Sequence, residues 1–182
     1  MTKNGLAYDK KAFKDIADSL MKKVETLEKL IEFQFNFIGL KTVTNAREVS
    51  TFQNQTGNLR SSMGFVLAKD GEIIRFGGFT PVPGNGENIA IVNFTTKEGK
   101  NVSFRAKGIS GDGTEGANKG RQYAEELARS SGKGYTLVIV AGMNYASFVE
   151  SMGFDVLASS GAYLEKEVLK IVDKILKKAG FK

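Results

Sequence analysis

The chain has 182 residues, 41% hydrophobic and 25% charged, which is ordinary for a globular domain with a core. It contains no cysteine and no histidine, so disulfides, thiolate chemistry, histidine triads and histidine metal sites are excluded. No apolar run approaches the roughly 20 residues of a membrane-spanning helix, and the first residues lack the apolar core of a signal peptide. We therefore expect a protein made in a cytoplasm, with no membrane contact.

The formal net charge is +6 at pH 7, and it is spread along the chain. The excess is +2 over residues 1–50, +3 over 51–134 and +1 over 135–182. A phosphate-binding stripe would concentrate this charge. The distribution favours an ordinary solvated surface and leaves nucleic-acid binding as an alternative.

An apolar seam at spacings of three and four predicts a long N-terminal helix, with Asp9 as its cap. The seam consists of Phe13, Ala17, Leu20, Val24, Leu27, Ile31, Phe35 and Ile38. A second apolar set follows on another side, at Leu30, Phe33, Phe37 and Leu40. A helix that is apolar on two sides is covered either by its own domain or by another subunit.

Alternation of Phe33, Phe35 and Phe37 leaves a strand open beyond Glu32, and Gly39 is a plausible break or hinge. Residues 44–53 are predicted to form a second, short helix, because Asn45 can cap it and Glu48 follows three residues later.

The middle of the chain predicts a meander of antiparallel strands over 63–68, 72–77, 89–95 and 101–107, with one solvated face. The most apolar strand, Tyr135–Ala141, is expected at the centre. Helices are predicted over 119–130, over 144–153 with Asn144 as cap, and from about Ala162 to Lys178 with its apolar residues facing inward. Phe154–Ala158 is expected to be a last short strand.

These elements predict an α+β fold, in which an antiparallel β-sheet meander packs against a long N-terminal helix and a C-terminal amphipathic helix. We expect residues 1–182 to form a single domain, with an elaborated loop, hairpin and helix region at about 80–134.

A glycine-rich segment over 108–118 is expected to be a flexible loop. Its Gly111-x-Gly113-x-x-Gly116 pattern matches the dinucleotide-binding fingerprint formally. The preceding strand is half polar, and no acidic residue ends the next strand to bind a ribose. Lys119-Gly120-Arg121 would be a small anion-attracting cluster if a helix began there, although an exposed helix start is the simpler interpretation.

Carboxylate pairs at 125/126 and 165/167 do not share a helix face, so they give weak support for hydrolysis. We predict no catalytic residue, no metal and no cofactor.

Two short motifs are the most informative part of the sequence. The first is Thr56-Gly57-Asn58-Leu59-Arg60-Ser61-Ser62, and the second is Asn144-Tyr145-Ala146-Ser147-Phe148-Val149-Glu150-Ser151-Met152-Gly153. Thr56 can cap the turn that Gly57 permits, and Leu59 can anchor this turn in the core. In the second motif, Tyr145, Phe148, Val149 and Met152 are spaced for one helix face. Arg60 is then available for a carboxylate, and we hypothesise an Arg60–Glu150 ion pair within or between subunits.

The order of these motifs, between a long helix and a C-terminal amphipathic helix, resembles the tail-completion or head–tail joining proteins of long-tailed phages and prophages. The matching positions are Thr56, Gly57, Leu59, Arg60 and Ser62, then Tyr145, Ala146, Val149, Glu150 and Gly153. The sequence departs from the family at Glu150-Ser151-Met152-Gly153, where the family has Glu-aromatic-Gly-Thr, and in its longer middle region.

The resemblance implies a non-enzymatic virion protein, made in the bacterial cytoplasm. Such proteins form rings of identical subunits and contact connector or neck proteins and tail-tube proteins, with passing contact with DNA in the channel. The alternatives from the residues alone are a basic nucleic-acid-binding module and a carboxylate-dependent hydrolase.

Overall fold

The computed structural model describes residues 9–85, 89–107 and 111–179. Its elements, in chain order, are α1 (Lys10–Val49), α2 (Asn58–Ser61), β1 (Met63–Lys69), β2 (Glu72–Gly78), β3 (Ile89–Thr95), β4 (Asn101–Lys107), α3 (Thr114–Arg129), β5 (Tyr135–Ala141), α4 (Ala146–Ser151) and α5 (Ala158–Lys178). The predicted α+β class is confirmed.

Among the described residues, the main sheet has three antiparallel strands in the order β2-β1-β5. Its central strand, β1, is buried on both faces, because α1 packs on one side and α3 on the other. Met63 and Phe65 belong to the cluster on the α1 side, whereas Val66 and Ala68 pack against alanines of α3. Two predictions are therefore wrong: the sheet does not have a solvated face at β1, and Tyr135–Ala141 is an edge strand of this sheet.

The strands β3 and β4 pair with each other and form a separate two-stranded sheet. Their register runs from Ile89 opposite Lys107 to Thr95 opposite Asn101. The predicted strand ranges are confirmed, but the predicted four-stranded meander is wrong.

Helix α1 is continuous over forty residues, so the helix, and not the alternative of a strand, extends beyond Glu32. The break or hinge considered at Gly39 and the separate helix predicted over 44–53 are wrong. Asp9 caps the helix as predicted, since its carboxylate accepts hydrogen bonds from the amides of Lys11 and Ala12. Gly39 serves close packing, because a Cβ there would lie 2.7 Å from Cδ2 of Phe65. Asn45 lies inside the helix and donates to the hydroxyl of Ser160.

Helices α1 and α5 pack along the predicted seam, where Ile38, Ile171 and Ile175 form a buried cluster. Helix α5 begins at Ala158, so the predicted strand Phe154–Ala158 is wrong. The inward orientation predicted for Val172 and Leu176 is also wrong, since these side chains are 37% and 46% exposed.

Within the described part of the chain, the second apolar set of α1 is covered only at Leu30, which packs against the cluster between α1 and α5. Phe33, Phe37 and Leu40 are 65%, 55% and 46% exposed, on the side of α1 away from the seam that meets α5. Among the described residues, no helix combines the length and hydropathy needed to cross a membrane.

Candidate functional site

Both sequence motifs line one groove of about 900 Å³. We call it the motif groove; it is bounded by Thr51–Leu59, Glu115, Lys119, Met143, Asn144, Tyr145, Val149, Met152 and Phe154. Its apolar base is buried, since Phe52, Leu59 and Met143 are 7%, 5% and 7% exposed. A concave apolar surface with a polar rim is the usual form of a binding site.

The first motif forms a tight turn that leads into α2. Gly57 has φ +80°, a conformation that favours glycine, and Thr56 Oγ1 accepts from the Asn58 amide at 3.4 Å. Leu59 is buried, and the Ser62 hydroxyl donates to its carbonyl at 2.8 Å. The conformations predicted for Thr56, Gly57 and Leu59 are confirmed.

Helix α3 packs on this turn through glycines. A Cβ at Gly113 would overlap the hydroxyl of Ser61, and one at Gly116 would overlap the carbonyl of Asn58. The side chain of Asn58 holds the contact, because its oxygen accepts from the Gly116 amide and its amide donates to Glu115. The formal dinucleotide fingerprint is thus a packing surface for the first motif.

The loop predicted over 108–118 is described from residue 111 onward, and residues 108–110 lie outside the described part of the chain. Helix α3 begins at Thr114, so the loop prediction is wrong for 114–118. Lys119 therefore lies inside the helix, where it pairs with Glu115 at 2.6 Å, and the predicted anion-attracting helix start is wrong. This hydrogen bond lowers the pKa of the Glu115 carboxyl. Small residues every four positions, at 116, 120, 124 and 128, were the sequence signal for this packing.

The second motif forms α4 and its flanks. Tyr145, Val149 and Met152 line the motif groove, as their helical spacing predicts, whereas Phe148 is 65% exposed and does not. Burial raises the pKa of the Tyr145 phenol, while a hydrogen bond with Thr56 acts in the opposite direction. The predicted Asn144 cap is wrong, because Tyr145 occupies the cap position and makes no side-chain cap bond.

Arg60 and Glu150 have different partners within the chain. The Arg60 guanidinium donates to the Ser50 hydroxyl at 2.7 Å and lies over the ring of Phe52. Glu150 Oε1 accepts from the amides of Leu157 and Ala158 at 3.0 and 2.8 Å, which caps α5. No ion pair joins Arg60 and Glu150 within the described residues, so the hypothesis is wrong inside one subunit; a pair between subunits stays a prediction.

Arg47 is a structural neighbour of Arg60 that sequence reasoning missed. It donates to the carbonyl of Met63 at 3.1 Å, near the end of α1. Burial, and then the charge of Arg60, lower the pKa of Arg47. Arg47 lies in the last turn of α1, where the carbonyl dipoles of the helix favour a positive charge.

Removal of the Glu150 cap is expected to destabilise the protein. Glu150→Ala leaves the amides of Leu157 and Ala158 without their acceptor, and should cost about 0.5–2 kcal/mol of the free energy of unfolding. Glu150→Gln keeps an oxygen acceptor and should recover most of this loss. Urea unfolding of both variants measures the difference, and equal stabilities would contradict the capping role.

Comparison of the chain with known protein families, curated proteins and solved structures found no match.

Proposed function

We propose that this chain is a non-enzymatic structural virion protein that completes the tail of a long-tailed phage, or joins head and tail, as a ring of identical subunits. The protein class comes from the resemblance of its two motifs, at Thr56–Ser62 and Asn144–Gly153, to the tail-completion family. The partners would be further copies of the chain, connector or neck proteins, and tail-tube proteins.

The observation that carries the proposal is the amount of apolar helix surface that the described part of the chain leaves uncovered. Phe33, Phe37 and Leu169 are 65%, 55% and 68% exposed, and they lie on helices that already have a packed apolar side. Large apolar patches on a protein surface typically mark interaction sites. The uncovered surface favours a protein that works by assembling.

The mass of the particles in solution tests the proposal. We expect light scattering to give multiples of the 19.8 kDa chain, either for the protein alone or after mixing with neck and tail-tube proteins. Phe33→Ser with Phe37→Ser should reduce the assembled mass without unfolding the chain, because both side chains are exposed. If the subunits assemble only on neck or tail-tube proteins, the unmixed protein is a monomer, and this result agrees with the proposal.

A 19.8 kDa particle in every mixture, together with steeply salt-dependent DNA binding, would instead support the nucleic-acid alternative. Hydrolysis that is lost on changing one carboxylate would support the enzyme alternative.

A further inference from the structure

The N-terminal half of α1 carries an apolar stripe that α5 does not bury. We call residues 10–26 the arm; of these, all but Ala17 are exposed. Its stripe includes Ile16, Leu20, Met21 and Val24, which are 59%, 56%, 64% and 55% exposed. Helices in proteins gain most of their stability from the packing of an apolar face, and this exposed stripe is available for such packing.

The stripe continues an interface that already exists within the chain. From Leu27 to Ile38 the same seam packs against α5 in one apolar cluster. Leu20 and Val24 extend this seam by two further turns at the same three-and-four spacing. The arm is therefore shaped for packing against another surface.

The motif groove offers a matching apolar surface. Met152, Tyr145 and Phe154 are 59%, 36% and 37% exposed at its rim. Its volume of about 900 Å³ lies in the range of clefts that hold ligands. An amphipathic helix that places side chains at i, i+4 and i+8 into such a groove is a recurring mode of recognition.

The arm is basic, whereas the charges in the groove lining balance. Residues 10–26 carry five lysines, two aspartates and one glutamate, a net charge of +2. The charged residues that line the groove are Glu115 and Lys119, whose charges cancel. Two arms would repel each other, whereas the groove adds no net repulsion, so electrostatics favour arm-to-groove contact over arm-to-arm contact.

The arm cannot reach the groove of its own subunit. The groove begins at Thr51, just past the C-terminus of α1, and the arm is at the opposite end of this continuous helix. At 1.5 Å per residue, the helix holds Leu20 and Thr51 roughly 45 Å apart. Only the groove of another copy is accessible.

We propose that the arm of one subunit docks into the motif groove of a second copy, with Ile16, Leu20 and Val24 as anchors. The inference rests on the proposed function, because it names two further surfaces through which subunits of the ring would contact each other. Each copy uses one arm and one groove, which makes a head-to-tail contact. Such contacts close into a ring when the rotation between neighbouring subunits returns to the first subunit.

The absence of cysteine permits a direct test by cross-linking. We expect full-length Leu20→Cys mixed with full-length Met152→Cys to form a cross-linked dimer, under a short bis-maleimide, at least about tenfold faster than a control pair, because docking raises the effective concentration. The control replaces Leu20→Cys by Asp18→Cys, an exposed residue that lies two positions away and so on the opposite side of the helix from Leu20. Equal rates for the two pairs would overturn the docking.

A second measurement separates this inference from the proposed function. Leu20→Asp places a charge in the stripe at an exposed site, so circular dichroism should show an intact fold while sedimentation shows a lower assembled mass. Assemblies of unchanged mass in Leu20→Asp would overturn the docking and leave the proposed ring in place. A wild-type chain that stays at 19.8 kDa in every mixture would overturn both.

Discussion

Phe65→Ala is expected to remove about 3–5 kcal/mol from the free energy of unfolding, which is a large part of what a domain of this kind possesses. Phe65 is 0% exposed in the central strand. Its ring fits between Gly39 of α1 and Gly77 of β2, where an added Cβ would meet it in both cases. Truncation leaves a cavity that neither glycine can fill, since neither has a side chain that could move into it.

Urea unfolding followed by circular dichroism measures this loss. Phe33→Ala is the matched control, because Phe33 is a phenylalanine on α1 that is 65% exposed. Its substitution should change stability by no more than about 0.5 kcal/mol. Similar losses in the two variants would contradict the central position of Phe65.

The predicted break in α1 shows what local sequence cannot decide. A glycine inside a helical pattern signals either a break or a close approach of another element. At Gly39 the answer depends on Phe65, which is far along the chain in β1. The apolar seam of α1 was predictable because it repeats locally, whereas its continuity through Gly39 was not.

The prediction of which strand lies at the centre of the sheet was wrong for a related reason. Composition makes Tyr135–Ala141 the most apolar strand, but burial on both faces belongs to β1 because α1 and α3 both cover it. Coverage by α3 requires its small residues, including Ala124 and Ala128, to lie close to the sheet. The hydrophobic pattern of a strand does not show which helices will cover its two faces.

The local conformation of the first motif was predictable from the sequence, whereas the meeting of the two motifs at one groove was not. Gly57 and Leu59 behave as their residue types require, because a turn and its anchor are local features. The proposed Arg60–Glu150 pair failed inside the subunit because each side chain has a nearer partner: Ser50 for Arg60, and the start of α5 for Glu150. That both motifs line one groove could only be seen in three dimensions.

Gly116→Ala is expected to destabilise the protein by about 1–3 kcal/mol, the usual cost of overpacking. In an unobstructed helix the same change stabilises by roughly 0.5–1 kcal/mol, since alanine loses less backbone entropy than glycine. Here the new Cβ would overlap the carbonyl of Asn58, and a backbone atom cannot rotate away as a side chain can. Helix α3 would have to move off the first motif.

Gly161→Ala in α5 is the matched control, because a Cβ at Gly161 would meet nothing within 4 Å. Urea unfolding should therefore give opposite signs for the two glycine-to-alanine variants. Displacement of α3 also moves Glu115 and Lys119 at the rim of the motif groove, so Gly116→Ala should slow the Leu20→Cys to Met152→Cys cross-link as well. A stabilised Gly116→Ala with an unchanged cross-linking rate would show that α3 and the first motif are not in close contact, and that the groove does not depend on their packing.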